Sequence, residues 1–88
     1  MGENVKPLIR ESHKLRELWS RGYEIFKEKS KPLAGSFVLG YDYTLHYQGV
    51  AVDRHDDCSS EFAILVFHLR VLDGRYAKRE SEIHGNNG

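Results

Sequence analysis

The chain has one cysteine, Cys58, among its 88 residues. That excludes an intramolecular disulfide and any multi-cysteine zinc site, and with them the stapled framework expected of a small secreted domain. It has no net charge, with 13 Lys and Arg against 13 Asp and Glu, so the basic excess that usually announces a nucleic-acid binder is missing. It has no apolar run near the roughly 18 residues of a membrane span, and its opening MGENVKPLIRES has no apolar leader segment. Gly2 lacks a myristoylation context, because Lys6 stands where that pattern wants Ser or Thr. A cytoplasmic protein without membrane contact is therefore expected. Also lacking are a Gly-rich phosphate loop, a GxSxG elbow and the HxxxH, HExxH and CxxC spacings. No cofactor, metal ligand or catalytic residue is assigned, and an enzyme is not the expected reading.

What is present fits one soluble domain. Hydrophobic residues make up 40% and charged residues 30%, both near ordinary values. The expectation is a single α+β domain over 1–83 with a disordered tail, His84-Gly85-Asn86-Asn87-Gly88. So short a chain buries a small share of its surface, and a homodimer would relieve that shortage. Charge is unevenly spread, since residues 6–31 hold eight basic side chains against four acidic ones. Glu17 and Arg21, with Glu24 and Lys27, pair at helical spacing, as on an ordinary solvated helix face.

The strongest periodicity predicts a long N-terminal amphipathic helix over about 7–29. Leu8, Leu15, Leu18, Trp19, Gly22, Ile25 and Phe26 share one arc, and charged residues take the other. Gly22 within that arc implies either close packing or a kink. Pro32 and Gly35 then end the helix. From Phe37 to Tyr47 the period is two, which predicts a long strand. Gly49 breaks its phase and implies a bulge or a turn. Residues 53–60 are polar and read as a loop. Phe62 to Leu72 is apolar on both parities for half its length and reads as a central strand covered on both faces. Asp73-Gly74 signals a hairpin, returning as a short edge strand over Arg75–Ser81 or as a short helix. The whole is a helix packed on an antiparallel sheet of two to four strands.

Three groups of residues are candidates for function. Tyr41, Tyr43 and Tyr47 share one strand face and are either core or, if the helix covers the other side, an exposed aromatic strip suited to protein partners or base stacking. His46 and His68 would approach each other if their strands paired and with Asp42 would hold a transition metal or read a phosphate, or else stand as two independent surface imidazoles; Arg54 and Arg70 would supply further donors to a phosphate. His55-Asp56-Asp57-Cys58 has the residue types of a metal or thiol site, but neighbours on an extended chain point to opposite sides, so a solvated acidic turn is expected there. An RNA-recognition sheet of the RRM type is excluded by element order and by the missing basic Gly-aromatic motif.

The expected function is that of a non-enzymatic protein-binding module, a regulator, adaptor or inhibitor, working through its sheet surface or a dimer interface. The alternative is a small-ligand, nucleotide or nucleic-acid binder using Tyr41, Tyr43, His46, Tyr47, Arg54, His68 and Arg70.

Overall fold

The computed structural model describes residues 5–9, 11–32, 34–38 and 40–85. It is an α+β arrangement with elements in the order β1 (Val5–Pro7), α1 (His13–Ser20), β2 (Tyr23–Lys29), β3 (Tyr41–Tyr47), β4 (Val50–Cys58), α2 (Ser60–Leu72) and α3 (Ala77–Gly85). The four strands form one antiparallel sheet in the order β1-β2-β3-β4.

The long N-terminal helix is not formed, and its span divides into β1, α1 and β2. Ser12 caps α1 by accepting a hydrogen bond from the Leu15 amide at 3.1 Å. Gly22 closes it two turns later. With φ at +92° it takes the left-handed conformation that follows many helix ends, and its amide donates to the Trp19 carbonyl at 2.9 Å. A Cβ at Gly22 would lie 2.5 Å from the Gln48 side chain, so the close packing anticipated there also exists. Beyond it, Tyr23 and Ile25 turn inward and Glu24 outward, a strand pattern. The helical wheel failed because Ile25 and Phe26 satisfy one arc of a helix as readily as the two faces of a strand. Pro7 sits in β1, an edge strand, where its missing amide costs little.

The second half differs more. Phe62–Leu72 is a helix, α2, capped by Ser59, which accepts from the Phe62 amide at 3.2 Å. Glu61 in its first turn and Arg70 in its last complement the helix dipole. A run that is apolar at almost every position carries no period, so it fits a buried strand and a helix equally well. Asp73-Gly74 ends this helix instead of turning a hairpin: Asp73 is its C-cap, and Gly74 follows with φ at +75°. The segment after it is the helical alternative, α3, which runs through His84 and Gly85; Asn86 to Gly88 lie outside the described residues.

The expected loop at 53–60 is mostly strand. β4 is the other edge of the sheet, where one side meets solvent, so charged residues are admitted and discourage further pairing. The Gln48-Gly49 break is a tight turn, with φ of 52° and 82° at the two positions, as two-residue hairpins require. A register shift between Leu45 and His46 adds a bulge at Val52. β3 starts only at Tyr41; Phe37 and Val38 are exposed outside it, and Leu39 lies outside the described residues.

The helices cover one face of the sheet. Leu15 and Leu18 of α1, Ala63, Phe67 and Val71 of α2, and Tyr76 beyond it pack on Tyr23, Ile25, Tyr43, Leu45 and Tyr47. The opposite face carries Glu24, Phe26, Glu28, Asp42, Thr44 and His46, exposed or half-buried.

Candidate functional site

Two of the three candidate tyrosines are core rather than platform. Tyr43 and Tyr47 are buried, and Tyr41 at the sheet end is 40% exposed, with the Lys27 ammonium 4.8 Å from its ring centroid. The core tyrosines use their hydroxyls to hold α3. Tyr23 donates to Glu80, and the Tyr47 hydroxyl shares a hydrogen bond with His84 Nε2. No residue of α3 is fully buried, so these tethers, with partly buried Ile83, fix the helix. Burial first, then the hydrogen bond to Glu80, pushes the Tyr23 phenol well above its ordinary value.

His46 and His68 are not brought together. His46 lies on the open face of β3, edge-on to Phe26 with ring centroids 4.7 Å apart, whereas His68 is buried on α2 and donates to Glu17 Oε1 at 2.9 Å. His46 Nδ1 is buried without a hydrogen-bond partner among the described residues. The two arginines are separated as well. Arg54 donates to Asp42 at 3.0 Å and to Asp56 at 2.6 Å, and Arg70 donates to Asp53 at 2.9 Å. Each cation thus meets an internal carboxylate, and the seven candidate residues do not form one patch.

Asp53 shows why an inward acid is tolerated in β4. It sits opposite Leu45 and receives the Tyr76 hydroxyl, the Arg54 amide and the Arg70 guanidinium. Burial raises its pKa, but these donors together outweigh that and hold the carboxyl below its ordinary 3.8. A depressed carboxylate contributes stability above its unfolded pKa, and loses it as pH falls through the folded value. Stability should therefore fall with acidification below about pH 4. In Asp53→Asn that part of the pH dependence should be missing when chemical denaturation is repeated from pH 7 to pH 2.

The His55-Asp56-Asp57-Cys58 segment is the end of β4, not the solvated turn expected. The His55 ring packs near Phe62, centroids 5.1 Å apart, and Asp57 Oδ1 accepts from the Gly40 amide at 2.8 Å. Burial, then Asp42, Asp57 and Asp56, push the Cys58 thiol up, opposite to what activates a nucleophile. Among the described residues no three His, Cys, Asp or Glu side chains converge on a possible metal position.

Two further surface features bear on function among the described residues. A cleft of about 430 Å³ lies between the β1–α1 connection and the start of α2, with Lys6 and Lys27 at its rim and Leu8, Leu15 and Ile64 beneath. The other is the outer face of α2. Phe62, Leu65, Leu69 and Leu72 are 48, 43, 55 and 47% exposed, although the opposite side of the helix, with Ala63, Phe67 and Val71, is buried. Sequence reasoning missed this face because it placed these residues in a strand, where 65 and 69 would share one side and 62 and 72 the other. The signal was the 3-4-3 spacing, which only a helix collects into a stripe. No helix is long and apolar enough to cross a membrane among the described residues. No family model, curated protein or solved structure matches the chain.

Proposed function

We propose that the protein is a non-enzymatic protein-binding module whose working surface is the outer face of α2. The observation that carries this is that α2 buries Ala63, Phe67 and Val71 against the core and leaves Phe62, Leu65, Leu69 and Leu72 about half exposed along one stripe. A stripe of large apolar side chains left half in water on a small chain marks an interface. Leaving four large side chains about half in water forgoes roughly 1 kcal/mol apiece. That free energy is recovered when another protein surface seals the stripe. The open sheet face, the other place where binding was expected, supports the reading less well, because Glu24, Glu28, Asp42 and His46 interrupt its apolar surface.

A photoreactive benzoylphenylalanine at Leu69, compared with one at Ala51 on the open sheet face, tests the choice. Irradiation should give protein adducts from position 69 and none from position 51. Adducts from position 51 alone would move the working surface to the sheet, and adducts from neither would remove the reading.

A further inference from the structure

We infer that the cleft at the β1–α1 connection binds a small organic phosphate, a phosphate monoester carried on an apolar body. The cleft includes Ser60 and Ile64 of α2 but none of the four stripe residues, so the inference is independent of the reading of the α2 outer face.

Sheet register sets the mouth of the cleft. Lys6 of β1 stands directly opposite Lys27 of β2, and Lys27 is in turn opposite Tyr43, so both side chains rise from the face that the helices cover. Like charges directly across a strand pair repel and cost stability. Among the described residues nothing offsets that repulsion, because no carboxylate lies within ion-pair reach of Lys6, Lys27 or Lys29. Arg21, Arg54, Arg70 and Arg79, by contrast, each meet one. The acid in the cleft, Glu11, is exposed and pairs with neither lysine. Lys29, two residues along β2 from Lys27, joins both lysines and Tyr41 around an adjoining depression of about 220 Å³. Ammonium groups held side by side are relieved by one anion that bridges them, and a phosphate monoester brings nearly two charges at pH 7 where a carboxylate brings one.

The rest of the cleft specifies what the phosphate is attached to. Leu8, Leu15 and Ile64 form its floor, and its volume of about 430 Å³ is that of a small-molecule site. Inorganic phosphate would leave this floor in water, whereas an acyl or aryl group would cover it. Ser12 and Ser60, where α1 and α2 begin, line the same cleft, so the positive ends of both helix dipoles add to the attraction for the head group.

Octyl phosphate, titrated into methyl-labelled protein and followed by NMR, is the probe. It should shift the methyl signals of Leu8, Leu15 and Ile64 and bind about tenfold more tightly than octanoate, octanol or inorganic phosphate. Lys6→Gln/Lys27→Gln should weaken binding about tenfold and flatten its salt dependence. The same variant should melt no lower than wild type, because the like-charge contact is gone. Octanoate binding as tightly as octyl phosphate would overturn the phosphate head group, and inorganic phosphate doing so would overturn the apolar body. Unchanged affinity in the lysine variant, or shifts confined to Leu65, Leu69 and Leu72, would overturn the site itself.

Discussion

Phe67→Ala should lower the free energy of unfolding by about 3–5 kcal/mol, the range for deleting a fully buried aromatic ring whose cavity cannot collapse. Phe67 has no exposed surface and belongs to the core formed by both helices and the inner face of β2 and β3. Domains of this kind are stabilised by roughly 5–15 kcal/mol in total, and a short chain lies toward the low end. The variant should therefore be near half-unfolded in mild denaturant. Phe67→Leu, which keeps most of the volume, should lose about 1 kcal/mol. Urea titrations of the two variants beside wild type check the ordering. A loss below 1 kcal/mol for Phe67→Ala would mean that α2 does not seat this side chain on the sheet.

Gly40→Ala should cost about 2–3 kcal/mol, by forced overpacking against backbone that cannot rotate away. A Cβ at residue 40 would stand 2.1 Å from the Cys58 carbonyl oxygen and 2.6 Å from its carbon. The chain cannot give way there cheaply. The Gly40 amide donates to Asp57, whose own φ is 52°, and the Asp57 amide donates to Asp42 Oδ1 at 3.0 Å. Asp42 also accepts from Ser30 at 2.6 Å and from Arg54 at 3.0 Å. Moving Cys58 thus pulls on a network that joins β3, the end of β4 and the segment after β2. Gly49→Ala is the control. It has φ at +82° but nothing within 4 Å of its Cβ position, so only the left-handed penalty of about 1 kcal/mol applies. Thermal melts should rank Gly40→Ala well below Gly49→Ala, and hydrogen exchange at the Asp57 amide should accelerate only in the former.

The readable parts of the fold are those where residue chemistry admits one conformation. The alternation from Tyr41 to Tyr47 is a strand, because alternate side chains there really do divide between a covered and an open face. The break at Gly49, expected as a bulge or a turn, forms a turn in which Gly49 takes a positive φ at no steric cost. Reading failed where a pattern was degenerate. Ile25 and Phe26 extend a helical arc and fill a strand equally well; Phe62 to Leu72 is too uniformly apolar to show a period; and the acids of β4 look like a loop until Arg70 and Tyr76 from other elements, with the neighbouring Arg54 amide, are seen to satisfy Asp53.

The same degeneracy hid the candidate site. Tyr43 and Tyr47 drew attention as aromatics but belong to the core, and Arg54, His68 and Arg70 each pair with a carboxylate from another part of the chain or a close neighbour. The pairings across elements do not follow from sequence separation, since Glu17 and His68 are distant in the chain. The stripe on α2 could be assembled only after that segment was known to be helical.

Hydroxyl-radical footprinting of Phe62, Leu65, Leu69 and Leu72 over a dilution series of lysate from the cells that make the protein is the most direct test of the covered α2 face, with exposed Val50 as the internal reference. Protection of the four side chains at high concentration, lost together on dilution while Val50 stays constant, is the expected result. A ratio of stripe to Val50 oxidation that stays constant at every concentration would contradict the account.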